Sequence, residues 1–182
     1  MSTIVRQSTD VVVNITEKTI TYIVNTMFQM FLRISCERKL GPAYITRNRE
    51  IIENGLFVWL GEQTLQWAYL EVFLEGENEA IERWDFQFTY AHTIEKVVRQ
   101  PPVNEIGQLC AKLKTLPARA RYRVVVYTAP GASKVPGWEP TELRTLNESA
   151  SESVQGWSYG NIEVGLTYKG GRPNSQTYRK KG

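Results

Sequence analysis

Residues 82–88, Glu82-Arg83-Trp84-Asp85-Phe86-Gln87-Phe88, set large aromatic side chains alternately with charged or polar ones. A period of two marks a strand with one buried face, because successive side chains of a strand point to opposite sides. Extended to its limits the pattern covers 81–90, with Trp84, Phe86, Phe88 and Tyr90 on one face and Arg83, Asp85, Gln87 and Thr89 on the other. Upstream, Leu65 to Leu74 is apolar on both faces (Trp67, Tyr69 and Phe73 against Ala68, Leu70 and Val72), as expected for a strand covered twice. Between them, Glu75-Gly76-Glu77-Asn78-Glu79 is rich in turn formers. Residues 65–90 therefore predict a β-hairpin.

Further upstream the period changes. Ile20, Ile23, Val24, Met27, Phe28, Phe31 and Ile34 keep the spacing of a buried helix face from about Thr19, and Gly41-Pro42 stops that helix. A second helix is expected from about Tyr44 to Leu60, with Ile45, Ile52, Leu56, Trp59 and Leu60 on one side. Residues 1–18 are polar and β-branched, and Val11, Val12 and Val13 suggest a short strand. Downstream of the hairpin, Pro101-Pro102 delays a third helix over about 103–116, with Val103, Ile106, Leu109, Cys110 and Leu113 on one face and Pro117 at its end. Arg121 to Thr128 is a bounded β-branched strand with Tyr122, Val124 and Val126 on one side. Residues 130–160 then read as a long loop rich in Gly, Pro, Ser and Glu, punctuated by Trp138, Trp157 and Tyr159. Loops of this length in compact domains are mostly functional or disordered. A last strand follows, with Ile162, Val164, Leu166 and Tyr168 on one face.

Composition narrows the function. The formal charge of +3 leaves 19 acidic residues against 22 basic ones, without the clustered excess of a nucleic-acid binder. The local exception is a flexible basic tail over 169–182. No apolar run is long enough to span a membrane and no signal peptide is visible, so a cytoplasmic protein is expected. Cys36 and Cys110 do not make a disulfide framework and read as small buried hydrophobes. Phosphate-loop, dinucleotide, zinc-protease and nucleophile-elbow motifs are all absent. The single histidine, His92, falls at the junction of hairpin and helix, where a turn or cap role is expected. Catalytic residues, metal ligands and cofactors are therefore none, and the chain reads as a binding protein.

The order helix, helix, hairpin, helix, strand, long aromatic segment, strand resembles the HORMA domain. The stretch 82–88 is similar to the E-R-W-x-F strand of that family. Thr19-Ile20-Thr21-Tyr22-Ile23-Val24-Asn25 is similar to the opening of the first helix in bacterial HORMA proteins of antiphage operons. The resemblance implies an α+β fold of three helices on a mainly antiparallel sheet. Its parts would be an N-terminal segment (1–18), a core (19–129), a C-terminal "safety belt" (130–168) and the tail (169–182). It implies that an edge strand at 121–128 takes a closure-motif peptide, with the belt wrapped over it. Tyr122, Val124, Val126, Trp138, Trp157, Tyr159, Ile162, Val164 and Leu166 are then the candidate peptide-binding residues. It also implies two partners: a CD-NTase, the second-messenger synthase of CBASS defence, activated by the closed protein, and an AAA+ remodelling ATPase that resets it by pulling on residues 1–10. Two other readings stay open. The tail could serve as closure motif for a sister HORMA protein, or the aromatic strands and basic tail could bind nucleic acid.

Overall fold

The hairpin read from residues 65–90 forms the centre of a six-stranded sheet. The computed structural model describes residues 2–91, 99–146 and 150–171. In chain order the elements are helices α1 (Ser2–Glu37), α2 (Ala43–Arg47) and α3 (Arg49–Gly61), strands β1 (Leu65–Leu74) and β2 (Glu79–Tyr90), helix α4 (Val103–Lys112), and strands β3 (Ala120–Thr128), β4 (Thr145–Leu146), β5 (Ala150–Tyr159) and β6 (Ile162–Gly170). The sheet order is β3-β1-β2-β6-β5, antiparallel throughout, and the two-residue β4 pairs in parallel with the start of β2. The fold is α+β.

One face of the sheet carries the helices. Ala68, Leu70 and Val72 of β1, Trp84, Phe86 and Phe88 of β2, and Ile162, Val164, Leu166 and Tyr168 of β6 are buried against Ile23, Met27, Phe31 and Ile34 of α1. Phe31 and Phe86 meet edge to face at the centre of this layer. Each such fully buried side chain contributes about 1.5–3 kcal/mol relative to exposure. The aromatic face of β2 is thus core, which takes from the nucleic-acid reading the surface it required. Glu82 lies on this same inner face and is buried with Arg38, the two joined by bonds of 2.8–3.3 Å. Trp84 Nε1 also donates to Glu82, and Arg38 donates to the Lys114 carbonyl, so one ion pair ties α1 to β2 and to the end of α4.

The sequence reading needs five corrections. Cys36, expected to be a small buried hydrophobe like Cys110, is exposed near the end of α1; the other four concern the elements. Val11–Val13 lie in α1, which runs unbroken from Ser2, so no strand forms there. The second helix is two helices: the Asn48 side chain bonds the Tyr44 carbonyl at 2.8 Å in competition with the backbone, and the helical run breaks at that residue. The third helix ends at Lys112, since Leu113 is already extended at ψ 150°. Within the expected loop 130–160, residues 150–159 form strand β5. His92 and the tail from Arg172 lie outside the described residues.

The second face of β1 is covered, but by arginines and the C-terminal segment rather than by another layer. Glu71 on this outer face is fully buried, and Asp85 beside it is 3% exposed. Directly across the strands stand Arg123, Glu71, Arg83 and Lys169 in one row. Arg83 and Lys169 pair with Asp85, at 2.6 and 3.3 Å. Arg123 and Arg144 pair with Glu71, at 2.6 and 3.3 Å.

Candidate functional site

Strand β3 pairs with β1 on one side, and among the described residues no strand pairs with its other side. The orientation of that open edge follows from one bond: the Val124 backbone N–H donates to the Tyr44 hydroxyl at 3.4 Å, away from β1. Alternation along an antiparallel strand gives Val126 the same outward backbone orientation. Apart from the Val124 N–H, held by the Tyr44 hydroxyl, such an edge offers backbone donors and acceptors to an added strand.

The edge opens into a cavity of about 560 Å³ between β3, α3 and the segment that follows β3. Ile51, Ile52 and Trp59 line its helical wall, Val124 and Val126 its floor, and Val135 and Trp138 its far side. The mix of apolar walls with a strand edge suits an extended chain whose side chains alternate between pocket and solvent.

The segment 129–144 circles this edge. Leaving β3, it is pinned to α3 at Ser133, whose carbonyl accepts from Trp59 Nε1 at 2.8 Å and whose amide and hydroxyl donate to Glu62. The Ser133 bonds hold the Glu62 carboxyl below its ordinary range. Next, Trp138 lies on α3: its Nε1 donates to the Ile51 carbonyl at 2.9 Å and its ring meets Trp59 edge to face. Gly55 makes this seat, because a Cβ there would stand 2.8 Å from Trp138 Cε2. The chain then passes to the outer face of the sheet. Arg123 donates to the Thr141 hydroxyl at 3.1 Å and the Glu142 carbonyl at 2.6 Å. The Arg144 amide donates to Glu71 at 2.7 Å, and its guanidinium stacks 3.6 Å above the Phe73 ring.

From there β4 leads to the opposite edge, where β5 and β6 form a hairpin. β6 pairs with β2 from Ile162↔Tyr90 to Lys169↔Arg83. The hairpin docks on one stripe of α1 at spacing i, i+3, i+7. Gly160 (φ +60°) packs on Thr19, Tyr159 stacks on Tyr22 with ring centroids 4.1 Å apart, and Trp157 Nε1 donates to the Thr26 hydroxyl at 3.3 Å. Burial, then the neighbouring Tyr159, raises the Tyr22 pKa.

The nine candidate residues therefore divide. Val124, Val126 and Trp138 line the cavity. Tyr122 sits just beneath, its hydroxyl donating to the Gly41 carbonyl at 2.7 Å and its ring against Tyr44. Trp157, Tyr159, Ile162, Val164 and Leu166 lie at the other edge, where they seat the returning hairpin. The sequence reading missed Tyr44, Ile51, Ile52 and Trp59 as cavity walls, and Glu71, Arg123 and Arg144 as the fastening of the segment. A carboxylate in the middle of a strand apolar on both faces was the available signal, since such a charge is rarely buried without partners. Among the described residues there is no group of three or more side chains able to hold a metal ion, and no helix long and apolar enough to cross a membrane.

These features define a class: an α+β domain whose own C-terminal segment wraps one open edge of its sheet and re-pairs at the other. The chain belongs to the family described as bacterial HORMA domain 2, whose profile matches residues 8–157. Solved structures share the fold. The C. elegans protein HTP-2 bound to a HIM-3 closure motif is 13% identical, with a TM-score of 0.72 over 85% of this chain and 91% of that one. A chain of the mitotic checkpoint complex is 15% identical, with a TM-score of 0.66 over 82% and 97%. The E. coli MS115-1 CdnC:HORMA-deltaN complex contains a chain 14% identical, with a TM-score of 0.60 over 86% and 89%. A comparison with curated proteins gave no match. HORMA domains are interaction modules, and no enzyme family is indicated.

Proposed function

We propose that this protein is a peptide-trapping switch. In this reading a closure motif adds to the open edge of β3, beneath the belt 129–144, and the closed protein binds and activates a CD-NTase in antiphage defence. An AAA+ remodelling ATPase then reopens it from its N-terminus. The observation that carries the reading is the juxtaposition of an unpaired strand edge, an apolar cavity along it and a segment that encircles both. The cavity takes in β3 from Arg123 to Thr128, which corresponds to a bound strand of about six residues, or roughly 20 Å. Affinity would come from main-chain bonds to Val124 and Val126, and specificity from apolar side chains facing Ile52 and Trp59. The likeness to HTP-2 bound to a closure motif and to a chain of the CdnC:HORMA complex supports a closure motif and a CD-NTase as partners.

The test begins with peptide display against the full-length protein, using a library that includes residues 169–182. The winning peptide is then followed for dissociation, and for its effect on second-messenger synthesis by the CD-NTase with and without the ATPase. A consensus that dissociates over hours and switches synthesis on supports the proposal. Failure of a folded, monodisperse sample to enrich any peptide overturns it. Enrichment of the 169–182 sequence itself would make the tail a ligand for a sister protein.

A further inference from the structure

We propose that Glu71 is the clasp of the belt, a positioning residue that holds the crossing segment shut from the far side of the sheet. The inference rests on the enclosure reading above. Glu71 sits mid-strand on β1, with neighbours of both kinds: apolar packing around it and two arginines upon it. Its carboxylate accepts from Arg123 at 2.6 Å, from the Arg144 guanidinium at 3.3 Å and from the Arg144 amide at 2.7 Å. Arg123 is on β3, the strand whose edge is open, whereas Arg144 is on the belt after it has rounded that edge. One buried carboxylate thus joins the two sides of the cavity mouth. Arg123 reinforces the joint by holding Thr141 and Glu142, and Phe73 supplies a ring beneath Arg144.

β4, which follows, pairs with β2 at only Glu79↔Thr145 and Ala80↔Leu146. The helical side has Ser133 and Trp138, so the belt has an anchor before the crossing and one after it. The Glu71 end is the anchor that lies beyond the edge of β3, on the outer face of the sheet. Removing one partner of a buried ion pair leaves the other charges uncompensated, which is costly, and this suits the acid to a fastening role.

Hydrogen exchange of the peptide-free full chain tests the clasp directly. In the variant Glu71→Gln, the hydrogen-bonded amides of Arg144 and β4 are expected to exchange about ten- to a hundredfold faster, the range for loss of charged hydrogen bonds. Amides of Trp84 and Phe86 should not change. Arg144→Ala, which leaves Glu71 paired with Arg123, should give about a tenfold acceleration confined to the same amides, and it serves if Glu71→Gln fails to fold. Unchanged exchange of the residue-144 and β4 amides in Arg144→Ala overturns the proposal. With the display-selected peptide bound, both variants should speed dissociation and leave association within about twofold, since most such effects fall on release. Faster exchange without faster release would keep the clasp and reject enclosure. Slow, peptide-specific release with unaltered exchange would keep enclosure and reject the clasp.

Discussion

Gly55→Ala should destabilise this protein although it improves a helix. Gly55 lies inside α3, where replacing glycine by alanine ordinarily gains about 0.8–1 kcal/mol. Here the new Cβ would stand 2.8 Å from Trp138 Cε2 and 2.9 Å from Trp59 Cζ3, closer than carbon atoms tolerate. Trp138 is a rigid ring already tied to the Ile51 carbonyl, so it must leave its seat. Its departure forfeits a hydrogen bond of about 1 kcal/mol and an aromatic pair of about 1 kcal/mol, besides the burial of part of an indole. The net expectation is a loss of about 1–2 kcal/mol in urea denaturation, with the belt newly open to protease near residues 132–141. The decisive comparison is the double variant. With Trp138→Ala already present the obstruction is gone, Trp59 can relax into the space, and Gly55→Ala should cost nothing or stabilise. The coupling between the two sites should be about 2 kcal/mol. A Gly55→Ala protein more stable than wild type, with its belt still protected, would show that Trp138 is not seated on α3.

Other expectations follow from the same geometry. Glu82→Gln removes one partner of a nearly inaccessible ion pair and should cost about 3–5 kcal/mol in denaturation, whereas Arg49→Ala, at an exposed pair whose guanidinium also covers the Phe28 ring, should cost only about 1 kcal/mol. Burial pushes the Cys110 thiol up to about 12, so at pH 8 only about one molecule in ten thousand carries a thiolate there. Alkylation of the native protein at that pH should therefore modify the exposed Cys36 and spare Cys110 until the chain unfolds, as read by mass spectrometry. Gly160→Ala places a side chain at φ +60° and against Thr19, and should shift the unfolding midpoint by at least about 1 kcal/mol equivalent while loosening the β5–β6 hairpin in hydrogen exchange.

How legible the fold was depended on burial of one face. β2 and β6 bury one face, and their alternation gave both strands and their inward residues. β5 was invisible because it is an edge strand: Ser151, Glu152 and Ser153 are exposed, only Trp157 and Ser158 are buried, and a register shift between Val154 and Trp157 breaks the period. Val11–Val13 misled for another reason. β-branched residues disfavour a helix by only a few tenths of a kcal/mol each, too little to stop a helix from extending through them. The cavity was half legible. β3 carried its own signal, but its helical wall was read as generic core, because Ile52 and Trp59 face the same way as residues with no role beyond packing. Glu71 was passed over as a polar interruption in an apolar strand, since the partner that explains it, Arg144, lies 73 residues away.

The two edges of the sheet are joined by a crossing that passes outside β3, so an enclosed strand would leave through two mouths, one at each end. On the proposed reading, a strand with folded domains on both flanks would not pass through either mouth while the segment 129–144 stays in place. Occupancy then stops being a matter of concentration and becomes a matter of sequence of events. What is held would, on that reading, be what lay along β3 when the chain last shut, and later competitors, however abundant, would find no vacancy. Such a protein would record its past, as a seal does, and the record would last until work is done to erase it.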